Sequence, residues 1–144
     1  MNYAILSDRT ITRGFILAGA VNVFGMLTIS KLFTNSLLSA TDPAVFSWLG
    51  QVAIVLWGFA YWAVAKQFRH VPYLVLVFCI EKMVYTVAWL LWVLRNGHSL
   101  TSIASESPMT ALFFGAYGAG DFAFALFFGW VALKVLKTGS TSSA

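Results

Sequence analysis

Long apolar runs, separated by short polar stretches, dominate the pattern of this chain. The four runs cover about residues 13–33, 43–67, 72–95 and 108–136. Because a bilayer core about 30 Å thick needs roughly 20 residues of helix, each run is long enough to span a membrane. The short connections favour antiparallel packing of successive helices. The pattern therefore predicts an all-α integral membrane protein, an antiparallel bundle of four transmembrane helices that forms a single domain over residues 1–144. A proline near the start of each of the last three runs fits a helix beginning there: Pro43, Pro72 and Pro108.

Composition excludes the alternatives to a membrane protein. Hydrophobic residues make up 60% of the chain and charged residues 10%, whereas soluble domains have about 45–50% and 25%. The mean hydropathy is +0.82. Nine basic and five acidic side chains are too few to cover a soluble globule of 15.8 kDa. The single cysteine, Cys79, excludes an intrachain disulfide and a cysteine metal cluster. A soluble, disordered or disulfide-rich chain is therefore excluded.

The basic residues predict the orientation. Eight of the nine lie near the ends of the runs, where Lys and Arg anchor helices at the lipid head groups. Four spans put both termini on one side, which carries six basic residues against two on the other. The positive-inside rule then predicts a multi-pass protein of the inner (plasma) membrane with short cytoplasmic tails. Nucleic acid is not an expected partner, because no basic stripe is interleaved with aromatic residues. The six are Arg9, Arg13, Lys66, Arg69, Lys134 and Lys137, and the two are Lys31 and Arg95.

Each run also places a strongly polar residue near the middle of the bilayer. A charged side chain at that depth costs at least about 2.5–3.5 kcal/mol on insertion scales, so chance placement is a poor explanation. The expected result is a polar layer in the centre of the bundle, with one polar face on each helix. We therefore expect the first run to be a retained helix and not a cleaved signal peptide. The residues of this layer are Asn22, Gln51, Glu81, Lys82 and Asp121.

Helical periodicity divides the second and third runs into two faces. On the third run the face toward the bundle holds Phe78, Glu81, Lys82, Tyr85, Trp89 and Trp92, and the face toward lipid holds Leu76, Ile80, Met83, Val87, Leu90, Leu91 and Leu94. On the second run the inner face is Ala44, Ser47, Gln51, Val55, Gly58, Trp62 and Ala65, with Leu49, Ala53, Leu56 and Val64 opposite. A polar and aromatic face inside a span is expected to line the interior of a bundle.

Three ionisable residues carry the candidate chemistry. Lys82 and Asp121 are expected to form an ion pair, which could serve only to set the helix register. Glu81 is then left with Tyr85, Asn22 or Gln51 as its partner. A buried carboxyl without a cationic partner can exchange a proton, so Glu81 is the candidate proton carrier or general acid. Tyr85 and Trp89 could line a ligand pocket or simply pack in the core. No metal site and no cofactor are expected, since His70 and His98 lie in connections on opposite sides of the membrane.

These residues support one leading function and two alternatives. The leading interpretation is a transporter-like protein that binds or translocates a small or lipophilic molecule, coupled to protonation of a carboxyl group. The first alternative is a non-catalytic subunit, whose polar layer only fixes assembly with a membrane partner or with a second copy of the chain. The second is a membrane enzyme for a lipid-soluble substrate, with Glu81 as the candidate catalytic residue. A water-accessible cavity that reaches Glu81 from one side would favour transport. A closed apolar pocket beside Glu81 would favour lipid chemistry, and a dry, fully paired layer would favour the subunit.

Overall fold

The computed structural model describes residues 7–141, and every regular element within them is helical. The all-α prediction is confirmed for these residues, while the outermost parts of the predicted tails, residues 1–6 and 142–144, lie outside them. Short 3₁₀ turns follow the second and third of the long helices. The helices are α1 (Asp8–Ile29), α2 (Ser36–Thr41), α3 (Pro43–Phe46), α4 (Trp48–Val64), α5 (Pro72–Asn96), α6 (Leu100–Glu106) and α7 (Pro108–Thr141).

Three of these helical segments are long and apolar enough to cross a membrane. They are α1, the segment Pro72–Glu106 that joins α5 to α6, and α7 up to Gly139. The second predicted span is shorter than expected, because the helix is interrupted at Ser47, which leaves α4 with 17 residues. Two polar side chains make this break. Asp42 Oδ1 accepts from Val45 N at 3.3 Å and begins α3, and Ser47 Oγ accepts from Gly50 N at 3.2 Å and begins α4.

The first span differs from its prediction at both ends. Helix α1 starts five residues earlier than predicted, at Asp8, and it contains one π-helical turn over Val21–Gly25. It ends at Ile29, before the predicted residue 33, because the next residues turn sharply. Lys31, Leu32 and Phe33 have φ angles of 50°, 56° and 70°. These angles lie in the left-handed region, which is costly for residues with a side chain and ends the helix.

The core consists of two apolar clusters at opposite ends of the bundle. One is built around Phe15, Tyr61 and Phe78, and the other around Phe46 and Trp92 together with Phe114. Along α1, α5 and α7, the residues of the predicted polar layer fall between the two clusters in the sequence. The fold therefore holds the polar layer between two apolar clusters.

The long helices pack as two close pairs. Helix α5 packs along α7, and α1 packs along α4, whereas α1 and α7 make few contacts, before and after the π-helical turn of α1. Glycine makes the second pair close: a Cβ atom on Gly58 would lie 2.7 Å from Val23 Cγ2 and 2.9 Å from the backbone oxygen of Gly19. The wider separation of α1 and α7 leaves the space that the candidate site occupies.

The two predicted helix faces have different outcomes. All seven residues of the predicted lipid face of α5 are exposed, so this face points away from the rest of the chain as predicted. On the second run the prediction is partly wrong, because Val64, predicted to face outward, is buried, and Ala44, predicted to face inward, is exposed. The buried stripe of α4 runs through Gln51, Ile54, Gly58, Tyr61 and Val64. Trp62 lies at its edge, where its Nε1 donates to the backbone oxygen of Ile16 at 2.9 Å. The predicted connection 96–107 is also not a simple loop, since it contains α6.

A pair of substitutions on the exposed face of α5 tests its contact with lipid. Val87→Leu exchanges one aliphatic side chain for another on this face, so we expect no loss of folded protein. Leu90 is 48% exposed, and Leu90→Lys would place a charge against lipid at a cost of up to about 2.5–3.5 kcal/mol. The yield of membrane-inserted protein and its melting temperature in detergent measure both effects. Equal tolerance of the two changes would contradict a lipid-facing role for this side of α5.

Candidate functional site

Lys82 is the centre of the polar layer. Its Nζ donates to Asp121 Oδ1 at 2.6 Å and to Asn22 Oδ1 at 2.9 Å. The Lys82 residue is only 2% exposed, so both interactions form away from water. The predicted ion pair between Lys82 and Asp121 is therefore present, and Asn22 adds a neutral acceptor from a third helix.

Asn22 is held in place by the π-helical turn of α1. Its Nδ2 donates to the backbone oxygen of Ile54 on α4 at 3.1 Å, which leaves Oδ1 pointing at Lys82. A π-helical turn widens a helix locally and is frequent at functional sites. The asparagine thus links α1 to α4 and α5 at the level of the ion pair.

Glu81 has a partner that the sequence analysis did not identify. Tyr61 on α4 donates from its hydroxyl to Glu81 Oε2. The prediction that Tyr85, Asn22 or Gln51 would be the partner was wrong. Tyr61 is fully buried, with its ring centroid 4.9 Å from that of Phe78, and Lys82 Nζ lies 5.5 Å from the Tyr61 centroid. Helical spacing alone does not identify Tyr61, since either Tyr61 or Trp62 can continue the helix face of Gln51 and Gly58.

Two of the predicted site residues lie apart from this cluster. Gln51 Nε2 donates to Ser39 Oγ at 3.0 Å and to the backbone oxygen of Phe46 at 2.7 Å, near the start of α4. Trp89 Nε1 donates to the backbone oxygen of Phe114 on α7 at 2.8 Å. Both side chains connect helices within the bundle, and neither lines the cavity beside Glu81.

A cavity of about 600 Å³ lies between α1, α5 and α7 and ends at the polar cluster. Its size is typical of sites for small molecules. Apart from the polar end most of its wall is apolar, and the polar end presents Asn22, Glu81, Lys82 and Asp121, with Tyr85 beside them. The opposite walls carry well-exposed apolar side chains, namely Val21 and Phe24 on α1 and Met109 and Leu112 on α7. The cavity therefore opens sideways between α1 and α7.

Two polar atoms at the cavity lack a hydrogen-bond partner within the described part of the chain. They are Glu81 Oε1 and the Tyr117 hydroxyl, both buried and both on residues that line the cavity. An unsatisfied buried polar group costs about 1–3 kcal/mol, and such groups in folded proteins usually have a reason. A bound molecule with a polar or charged group could satisfy them.

The site has no metal-binding geometry among residues 7–141, where no three His, Cys, Asp or Glu side chains come together. What the cluster can do chemically is bind a polar group, hold it in position and exchange a proton at the Glu81 carboxyl. In comparisons with known proteins, no protein-family model, curated protein or solved structure matches the chain.

Proposed function

We propose that this chain is a plasma-membrane protein that binds a small lipophilic molecule between α1, α5 and α7 and carries it across the bilayer, coupled to protonation of Glu81. One observation carries the proposal: an apolar cavity of about 600 Å³, open between two exposed helix faces, ends at a buried carboxyl with an unpartnered oxygen. A ligand dissolved in lipid would enter sideways, with its apolar body in the cavity and its polar group at Glu81.

The geometry supports this function over the two alternatives. A subunit that used the polar layer only for assembly would be expected to pair every buried polar group, yet Glu81 Oε1 has no partner within residues 7–141. An enzyme for a lipid-soluble substrate would be expected to enclose its reacting group and keep it from escape. This cavity is apolar, as such an enzyme requires, but its open side favours passage over enclosed chemistry.

We also propose that α4 is the fourth span. Its 17 residues are about 26 Å long at 1.5 Å per residue, and α3 adds a further helical turn on the same side as the start of α4. Four spans then give both termini on the cytoplasmic side, where six of the eight basic residues near the helix ends would lie.

Reporter fusions test this topology. A fusion at the C-terminus should report a cytoplasmic location, and a fusion within residues 96–107 should report the opposite side, because the positive-inside rule favours this orientation. A cytoplasmic reading from the 96–107 segment would contradict the orientation. Matching readings from both fusions would mean that α7, the helix between the two fusion sites, does not cross the membrane.

Obstructing the cavity tests ligand binding. Gly120 lines the cavity, and a Cβ atom on it would meet nothing within 4 Å, so Gly120→Trp should fit the protein and narrow the cavity. Gly115→Trp is the matched control, since it also points into open space on α7 but does not line the cavity. The probe is a diazirine-bearing hexadecanol, photo-crosslinked to protein in nanodiscs and mapped by mass spectrometry.

We expect the probe to label the segment that contains Glu81 and Tyr85 in the wild type and in Gly115→Trp. In Gly120→Trp, labelling of this segment should fall about tenfold, which corresponds to about 1.4 kcal/mol of binding free energy. Labelling confined to the outer faces of the helices, or unchanged by Gly120→Trp, would overturn the proposed binding function.

A further inference from the structure

The charges of the cavity do not balance. Its lining contains two acidic side chains, Glu81 and Asp121, and one basic side chain, Lys82. Lys82 is already engaged, because its Nζ lies 2.6 Å from Asp121 Oδ1. The ionised form of Glu81 therefore leaves one negative charge at the inner end of the cavity without a cation of its own.

The neighbours of Glu81 do not supply the missing charge. From α4, Tyr61 donates one neutral hydrogen bond to Oε2. From α7 comes a second negative charge, Asp121, and from its own helix come Lys82 and the neutral Tyr85. From α1, Asn22 is uncharged and its Oδ1 faces Lys82. Glu81 Oε1 stays buried without a partner among the described residues, and it belongs to a residue that is only 8% exposed.

Aromatic rings form much of the remaining wall. Phe46, Phe113 and Tyr117 pack against one another with centroids 5.0–5.2 Å apart, and Phe24, Tyr85 and Phe124 also line the cavity. The faces of aromatic rings attract cations, and this attraction grows when the cation is desolvated. A carboxylate at the end of an apolar cavity that aromatic rings line is a suitable binding site for an organic cation with an apolar body.

We propose that the ligand of this cavity is a lipophilic monocation, and that it competes with a proton for the Glu81 carboxylate. This inference rests on the proposed binding function and adds the ligand's chemical class and its exchange partner. Uptake of one proton from water by Glu81 removes the negative charge and releases the cation, and binding of the cation releases the proton. The exchange of one cation for one proton leaves the charge of the site unchanged.

The test uses the full-length protein in nanodiscs and two probes of similar shape, the cation tetraphenylphosphonium and the uncharged triphenylphosphine oxide. Binding is measured by equilibrium dialysis, with empty nanodiscs subtracted, at about pH 5 and about pH 8, a range in which a buried carboxyl can titrate. The variants are Glu81→Gln, which keeps an acceptor for the Tyr61 hydroxyl, and Glu106→Gln. The second is the matched control, because Glu106 is exposed and lies outside the cavity.

We expect wild type and Glu106→Gln to bind tetraphenylphosphonium about tenfold more tightly at the higher pH, a difference of about 1.4 kcal/mol. Glu81→Gln should bind it weakly and equally at both pH values. In weakly buffered wild type, binding of the cation should release up to about one proton per cation. This proton count needs no variant, so it tests the proposal even if Glu81→Gln does not fold.

The two levels of the proposal fail in different ways. If both probes bind equally well in the cavity, with no dependence on pH and no proton release, the ligand class is wrong and the binding function stands. If neither probe binds above the level of empty nanodiscs or of Gly120→Trp, both the ligand class and the binding function are overturned.

Discussion

Replacing Asp121 by asparagine should lower the free energy of unfolding by about 3–5 kcal/mol, the range found when one partner of a buried ion pair is removed. The side chain of Lys82 is 3% exposed and that of Asp121 16%, so little water can reach Lys82 Nζ to compensate for the lost carboxylate. Asn22 would still accept from Lys82 Nζ, but it carries no charge. Unfolding in detergent, followed by circular dichroism against added SDS, measures the loss.

A double substitution distinguishes the loss of the ion pair from the cost of one charge that stays buried without a partner. Lys82→Met with Asp121→Leu removes both charges and should recover much of the stability, because no uncompensated charge stays buried. The exposed pair of Arg69 and Asp8, with Arg69 Nε 2.6 Å from Asp8 Oδ2, is the matched control. Asp8→Asn should have a far smaller effect, since water screens that pair. A harmless Asp121→Asn, or a double variant as unstable as the single one, would contradict a buried pair.

The depth of the polar residues could be predicted from the sequence. When antiparallel helices of similar length cross one layer, their midpoints meet at one level, so residues near each midpoint become neighbours. This reasoning brought Asn22, Lys82 and Asp121 to one level, and the structure joins all three by hydrogen bonds. The exposed face of α5 could also be predicted, because the exposed and the bundle-facing residues of this helix differ clearly in polarity.

The rotation of α4 could not be predicted in the same way. That helix is apolar on all sides apart from Gln51. Helical spacing therefore allows either Tyr61 or Trp62 to continue the buried face that contains Gln51 and Gly58. Contacts with other helices decide between them. Trp62 lies at the edge of the buried face and donates to the backbone oxygen of Ile16, whereas Tyr61 lies in the core and donates to Glu81. Only the tertiary structure contains this information.

The cavity also depends on features that periodicity does not reveal. The π-helical turn at Val21–Gly25 changes the direction of every later side chain of α1 relative to a regular helix. The break at Ser47 places Gln51 in the first turns of α4. There its Nε2 donates hydrogen bonds to Ser39 Oγ and to the backbone oxygen of Phe46. A helical wheel assumes a continuous regular helix and so includes neither the π-helical turn nor the break. For this reason the sequence places Gln51 in the polar layer, whereas the structure does not.

Gly118→Leu should destabilise the protein by about 1–3 kcal/mol, the usual range for overpacking a core. A Cβ atom on Gly118 would collide with the indole ring of Trp89, which lies directly on this part of α7. The larger side chain must push the ring away, and the hydrogen bond from Trp89 Nε1 to the Phe114 oxygen is lost with it. Gly115→Leu is the matched control, because a side chain there meets nothing within 4 Å and should leave the melting temperature unchanged or raised.

The effect should depend on Trp89 and not on the loss of glycine itself. If the collision is the cause, Trp89→Ala combined with Gly118→Leu should cost less than the sum of the two single changes, because the leucine can fill the space that the indole leaves. The close packing of α5 on α7 also holds Lys82 beside Asp121, so Gly118→Leu should weaken that pair and make the further change Asp121→Asn less damaging. Strictly additive effects in both combinations would mean that the Trp89 contact does not set the spacing of the two helices.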